Sequence, residues 1–386
     1  MKASTKFTLL ILLLLSTISL CSASEPAMGF LRIQPSSISR AMGYGYSGVA
    51  DIWHQNPLIA WDNPALTAMH KGIAIGYTDD NWLKGYNEGY SPMFYDVGMM
   101  SVGYYGFGIA LPSYNASEKY GTMMDFGYHY QQNEEGNVVG EFQAYETAKL
   151  YNIAFNPFDF IRSINRECPN LLNHVNFAAG ISYIDLLSDL GPEIGPVEHA
   201  SDQKVNTSIL DAGLILSGNV TLGDKLVCEA SLGYKKFNLG NRYVSYVNEN
   251  EKNPIGKNDI IGFGLSGSLP VKNVLKNDTT ISKITDNLAT MRLLASTNYI
   301  RGESPENSVG AELGFLDTVF GRVGYYDDRD GHVTGFTYGA GINLHYSDFI
   351  ALETNYANFM GGELVDRQSS WDFMVKYDLL QLVKLF

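Results

Sequence analysis

The chain reads as an all-β protein, a transmembrane antiparallel β-barrel of about 14 strands around a small N-terminal helical plug. Three observations point there. Side chains alternate with a period of two through many long segments. An export signal precedes those segments. Beyond that signal there is no run of about 18 apolar residues that could cross a bilayer as a helix.

The alternation is clearest over 334–346. Phe336, Tyr338, Ile342 and Leu344 share one face, while Gly335, Thr337, Asn343 and His345 share the other. It recurs with Met124, Phe126, Tyr128 and Tyr130 set against Asp125, His129 and Gln131. It recurs again with Phe177, Ile181 and Tyr183 against Gly180 and Ser182, and with Leu210, Leu214 and Leu216 against Asp211 and Ser217. Further stretches follow at 261–269, 309–315 and 350–356. A packed core does not accept such polar faces without partners, whereas a barrel lumen does.

Residues 1–23 carry Lys2 and Lys6, an apolar run over 9–15 and a small-residue cleavage region at Ser22-Ala23-Ser24, as a secretion signal does. Cys21 follows Leu20, a poor fit to a lipidation site. Losing this segment removes two lysines and no acid, which deepens a formal charge already at −14. So acidic a chain lacks the basic face that a nucleic-acid partner needs. Cys168 and Cys228 do not make a disulfide framework, and only a single bridge between them stays open. The 25 Tyr and 39 Gly fit a barrel, with tyrosines at the water interfaces and glycines leaving the inner face open.

Three regions follow: the signal at 1–23, a plug at 25–70 and the barrel at 71–386. Within the plug a helical stretch is expected over 38–42, and Asn56-Pro57 and Asn63-Pro64 mark turns. Asp330-Gly331 marks a tight hairpin. Polar stretches at 189–206, 238–258 and 272–287 read as long outer loops, and 158–166 as a short amphipathic helix at the membrane interface.

The chemical motifs carry little. Gly43/Gly45/Gly48 and Gly262/Gly264/Gly267 match GxGxxG, but the first follows a helix and the second ends at Leu269-Pro270, so no dinucleotide site is expected. Asp327, Asp328 and Asp330 fail the calcium-loop pattern, which leaves a solvated hairpin tip. No metal pattern or GxSxG occurs. A non-enzyme with no catalytic residues, metal or cofactor is the expectation.

Arg40-Ala41-Met42-Gly43-Tyr44-Gly45, then Ala50-Asp51 and Trp61-Asp62-Asn63-Pro64-Ala65, resembles the opening of the FadL/PorV superfamily of outer-membrane barrels. The chain departs from that pattern at Tyr44, Tyr46 and Leu66-Thr67 and carries an insertion-like 53–58. The resemblance implies a plug inside a fourteen-stranded barrel, with Arg40, Gly43, Gly45, Asp51, Asn63, Pro64 and Ala65 as its motif. It implies a bacterial outer-membrane location with outer-membrane lipid as partner, and the terminal aromatic Phe386 resembles the signal read by the barrel assembly machinery, a second expected partner.

Two roles follow from the resemblance. A PorV-like barrel is a component or client-binding shuttle of a type IX-like secretion pathway, with exported proteins as clients. A FadL-like barrel is a channel for long-chain fatty acids or other hydrophobic small molecules. A purely structural barrel is the third reading. The inner faces assigned from the pattern hold Asp211, Glu312, Asn343, Glu353 and Asn355, a polar set that leans toward secretion over a channel that needs an apolar lining, while Trp53, Leu58, Ile59 and Trp61 of the plug leave an apolar pocket open as the alternative. Gly45→Val is expected to disturb the plug more than the barrel; equal loss of heat-modifiable gel migration would contradict this.

Overall fold

The computed structural model describes residues 27–44, 46–82, 93–115, 121–132, 137–165, 173–192, 202–223, 226–245, 252–274, 285–347, 349–360 and 367–379. The signal segment, Gly45, Cys168 and Phe386 lie outside the described residues.

The first wall strands are β1 (Gly72–Trp82) and β2 (Met93–Tyr104). The next place is shared by β3 (Phe107–Pro112) and β4 (Thr122–Gln132), which pair with different stretches of β2. Three long strands follow: β5 (Val138–Phe155), β6 (Val175–Pro192) and β7 (Asp202–Leu222). After β8 (Leu226–Lys236) the chain makes a small ribbon of β9 (Tyr243–Val244) and β10 (Asn253–Pro254). The wall then continues through β11 (Asn258–Pro270), β12 (Asn287–Ile300), β13 (Glu306–Phe315) and β14 (Val319–Asp328). It ends with β15 (Val333–Ser347), β16 (Ile350–Phe359) and β17 (Gln368–Tyr377).

All pairings in the wall are antiparallel, and β1 pairs with both β2 and β17, so the sheet closes. With β3 and β4 counted as one place, the 15-stranded sheet is a 14-strand barrel. Closure leaves no unpaired edge, the condition for crossing a bilayer with strands.

Outward positions are apolar and exposed: Ile153, Leu214, Phe263, Leu293, Val309, Phe336, Leu352 and Phe373 are examples from eight different strands. Their band is the surface that lipid covers. Aromatic rings pair between neighbouring strands on this face. Tyr151 lies opposite Tyr183 and Trp371 opposite Tyr356, with ring centroids 6.3 and 4.8 Å apart. We call proximal the end that holds the start of β1 and the end of β17, and distal the other.

The wall is uneven in height. Strands β5, β6 and β7 have 18, 18 and 21 residues, whereas β13, β14, β16 and β17 have 10 each. Distal to the Tyr151–Tyr183 pair the outward residues turn polar, with Asp185 in register with Lys149 and Ser208. The long strands therefore project beyond the apolar band on one side.

Two expectations about loops need correction. Residues 189–206 are not all loop, since Asp189 pairs with Lys204 and Leu187 with Asn206. Residues 272–287 join strands at the proximal end, opposite to 238–258, because antiparallel strands alternate the ends at which their connections fall. The Asp330-Gly331 hairpin joins β14 to β15, with Gly331 N–H donating to Asp328 Oδ1 at 2.8 Å.

Residues 27–70 fill the lumen with short helical pieces. These are the 3₁₀ turns η1 (Gly29–Arg32), η2 (Ser47–Ala50), η3 (Pro57–Trp61) and η4 (Pro64–Met69), and the helix α1 (Ser37–Ala41). Asn56 and Asn63 cap η3 and η4 through their side-chain oxygens, and each is followed by a proline whose ring suits the first helical position. The pieces divide the wall among them. Turn η4 packs on β3, β5, β6 and β7, η2 on β8, β11 and β12, α1 on β14 to β17, and η3 on β1 and β2.

Close approach of plug and wall depends on small residues facing inward. A Cβ at Gly108, Gly180, Gly233, Gly310 or Gly324 would collide with plug backbone at Thr67, Pro64, Val49, Met42 and Gly43 respectively. A Cβ at outward-facing Gly321 would meet open space. Gly310→Val should unseat the plug, at about 1–3 kcal/mol, and raise single-channel conductance in planar bilayers, whereas Gly321→Ala should leave it closed. Equal conductance in the two variants would contradict this seating.

Candidate functional site

The plug motif is a set of fastenings, not a pocket. Arg40 is fully buried; its Nη1 pairs with Asp80 of β1, its Nε donates to the Gln34 carbonyl, and its guanidinium lies 5.4 Å from the Tyr95 ring and 5.1 Å from that of Phe359. Gly43 has a φ of 108°, and its N–H donates to Thr337 Oγ1 at 3.0 Å. That hydroxyl in turn donates to the Ala41 carbonyl at 2.9 Å.

Asn63 works in two directions. Its Oδ1 accepts from Ala65 N–H at 3.0 Å, and its Nδ2 donates to Val49 O at 2.9 Å and to Leu214 O of β7 at 3.2 Å. The Pro64 carbonyl accepts from Asn152 Nδ2 of β5 at 3.1 Å, and Ala65 is fully buried beside Gly180. Asp51 is fully buried and accepts from His54 Nδ1 at 2.6 Å. These residues therefore sit on different sides of the lumen, each joined to its own part of the wall.

Asp51 leads into the most charged part of the interior. His54 Nε2 lies 3.0 Å from Glu312 Oε2 of β13, and Glu312 also pairs with Arg292 of β12 and with Arg322 Nε of β14 at 2.6 Å. Arg322 Nη1 donates to Asn355 Oδ1 at 2.7 Å, and Asn355 Nδ2 donates to Asp372 Oδ1 at 2.7 Å. Asp372 then accepts from Ser37 N–H of α1 at 2.8 Å. The chain of contacts thus leaves the plug at Asp51 and returns to it at Ser37. Burial opposes charge on His54, yet the facing carboxylates of Asp51 and Glu312 outweigh it and push its pKa up to about 9. Burial raises the Asp62 carboxyl to about 7, with the Ser39 hydroxyl, 2.7 Å away, pulling the other way.

Farther along the wall Lys235 of β8 is fully buried, 3.3 Å from Asp211 of β7, and donates to the Trp61 carbonyl. Pattern reading singled out Asp211 and Glu312 but passed over their partners. Lys235 was open to it, because it stands two and four residues from the inward Gly233 and Ser231. His54 lies within the insertion-like 53–58, where no periodicity guides assignment.

The polar inner face read from the pattern holds for one side of the barrel only. Polar and charged groups dominate on β12 to β17. On the other side Tyr95, Val97, Met124, Leu150, Ile184, Leu186 and Ile209 point inward as one apolar cluster with Met28, Phe30, Leu31, Ile33, Leu58 and Trp61 of the plug. Met124 and Phe126 were read from alternation without a side; a register shift between Asp125 and Tyr128 accompanies their turn toward the interior. Leu186 and Ile184 lie in the part of β6 that projects past the apolar outer band. There the inner face becomes the dry one.

Fold and filled lumen define a plugged transmembrane β-barrel. No family model matches the chain, and no curated protein does. It is similar to solved barrels at low identity. One is a Pseudomonas aeruginosa FadL homologue, 10% identical, covering 90% of this chain and 98% of that one with a TM-score of 0.39. The Ralstonia pickettii toluene transporter TbuX is 11% identical over 90% and 98%, with a TM-score of 0.43. The Pseudomonas putida toluene transporter TodX is 11% identical over 93% and 98%, with a TM-score of 0.39. The assignment of a closed barrel rests on the strand pairing above, not on these likenesses.

Protonated His54 joins plug to wall, so its contribution has a definite pH sense. Its pKa is raised on folding, so the contribution is complete below the ordinary value of 6.5 and is lost as pH rises through about 9. The thermal midpoint should fall between pH 7 and 10, and His54→Gln should remove most of that slope. An unchanged slope in the variant would show that other groups set it.

Proposed function

We propose that the protein is a bacterial outer-membrane channel for an uncharged, apolar small molecule, with the plug as its gate. The observation that carries this is the apolar inner face of the projecting wall. Its Leu150, Ile184, Leu186 and Ile209 share one cluster with Met28, Phe30, Leu31 and Ile33 of the plug, together with Leu58 and Trp61. The 28–33 segment is short. It is held by η1, by the bridge between Ala27 and Ile255, and by the ion pairs of Arg32 with Glu303 and Glu306 near the distal rim. Each large side chain uncovered costs about 1.5–3 kcal/mol, a cost that an apolar ligand taking its place offsets.

The charges beside this face favour a neutral ligand. Arg40 and Lys235, the buried cations flanking the cluster, are committed to Asp80 and Asp211. An anionic head group placed here would also meet Glu146, which accepts from Ser188 at 2.9 Å. A long-chain carboxylate is therefore disfavoured against a hydrocarbon-like molecule. The secretion reading drew its preference from a polar lumen, and that preference holds for only one side of the barrel.

The test compares uptake of radiolabelled toluene and palmitate by cells that lack other such channels and express this protein. Toluene entry should rise about tenfold over empty cells, palmitate entry should not, and Leu186→Asp should abolish the gain at equal membrane abundance. No gain for either compound, with exported proteins copurifying, would overturn the channel reading.

A further inference from the structure

The helix α2 (Pro157–Ile164) follows β5 and packs on β6. Asn156 caps it, its Oδ1 accepting from Phe158 N–H and Asp159 N–H at 3.1 Å each, and Pro157 stands at the first position. Its polar side is pinned to the proximal end of β6. Arg162 donates to the Val175 carbonyl at 3.2 Å, contacts Asn176 and pairs with Asp159 at 3.3 Å. The turn between β2 and β3 supplies the seat: a Cβ at Gly106 would strike the Asn156 carbonyl and the Phe160 nitrogen.

The apolar side faces away from the barrel axis. The Phe160 ring lies 5.4 Å from Phe107 and 5.9 Å from Phe155, both on the outward face of their strands. Ile164, at the last turn, is 69% exposed. The helix thus continues the lipid-covered band around the proximal corner of the barrel, beneath the strands that project farthest at the distal end.

We propose that α2 is an interfacial anchor: its Phe160 and Ile164 side enters the boundary between head groups and acyl chains of the proximal leaflet. Its occupant is the lipid surface itself. Continuity with the outer band argues for lipid, and so does the pairing of Arg162 with Asp159, which leaves the helix without net attraction to a charged protein face. The anchor has a mechanical use. A wall of uneven height could sit at several depths at small cost per ångström, and a helix fixed to the base of β6 selects one.

The test uses the full-length protein with Cys21→Ser, Cys168→Ser and Cys228→Ser, reconstituted in phosphatidylethanolamine–phosphatidylglycerol vesicles. Nitroxide labels are placed at Ile164→Cys and, on the polar side, at Ser163→Cys. Collision with oxygen, which concentrates in lipid, is compared with collision with a water-soluble nickel chelate. At Ile164 oxygen should dominate, and at Ser163 the ratio should invert. Equal nickel access at both sites would place the helix in water and overturn the proposal. Shielding of Ile164 from both reagents would overturn it too, in favour of a protein partner or a second copy.

Discussion

The buried charge chain from Asp51 through His54, Glu312, Arg322, Asn355 and Asp372 to Ser37 is the constraint on which the interior depends. Lipid outside allows the wall only apolar side chains, so inward positions collect whatever polarity the strands carry. Once a plug excludes water, those groups must satisfy one another, because an unpaired buried charge costs several kcal/mol. Removing one member strands its neighbours, and plug and wall are therefore fastened cooperatively. The Arg40–Asp80 and Lys235–Asp211 pairs repeat the solution on other sides of the lumen.

Much of the architecture was legible in the sequence. Period-two alternation placed Phe336 and Leu344 on lipid and Thr337 in the interior, and the Asn-Pro pairs located the turns that became η3 and η4. The resemblance at Arg40 and Gly43 pointed to residues that the structure finds buried at the plug–wall seam. What stayed hidden has two physical causes. Contacts such as His54–Glu312 join residues 258 positions apart, which no local pattern encodes. And period two reveals that a strand has two faces without revealing which is wet. On β6 the exposed and buried faces exchange polarity between Ile181 and Asp185 as the strand leaves the membrane, so a rule learned on the spanning part fails beyond it.

That exchange also separates the lumen into two environments. On β12 to β17 the interior is charged and tightly bonded, suited to holding the plug still. On β2 and β4 to β7 an apolar cluster packed by non-directional contacts stands beside directed bonds such as Asn152 to the Pro64 carbonyl and Lys235 to Asp211.

The closure of β1 on β17 ties the plug to the barrel seam. Residues 64–70 run directly into β1, the strand that forms one lip of the seam with β17. Inward glycines admit plug backbone only when it lies against them, and a finished cylinder offers no side entrance for a segment fixed at its base. The plug and the seam therefore share one stretch of chain, so the seating of residues 64–70 bears directly on the strand that closes the barrel.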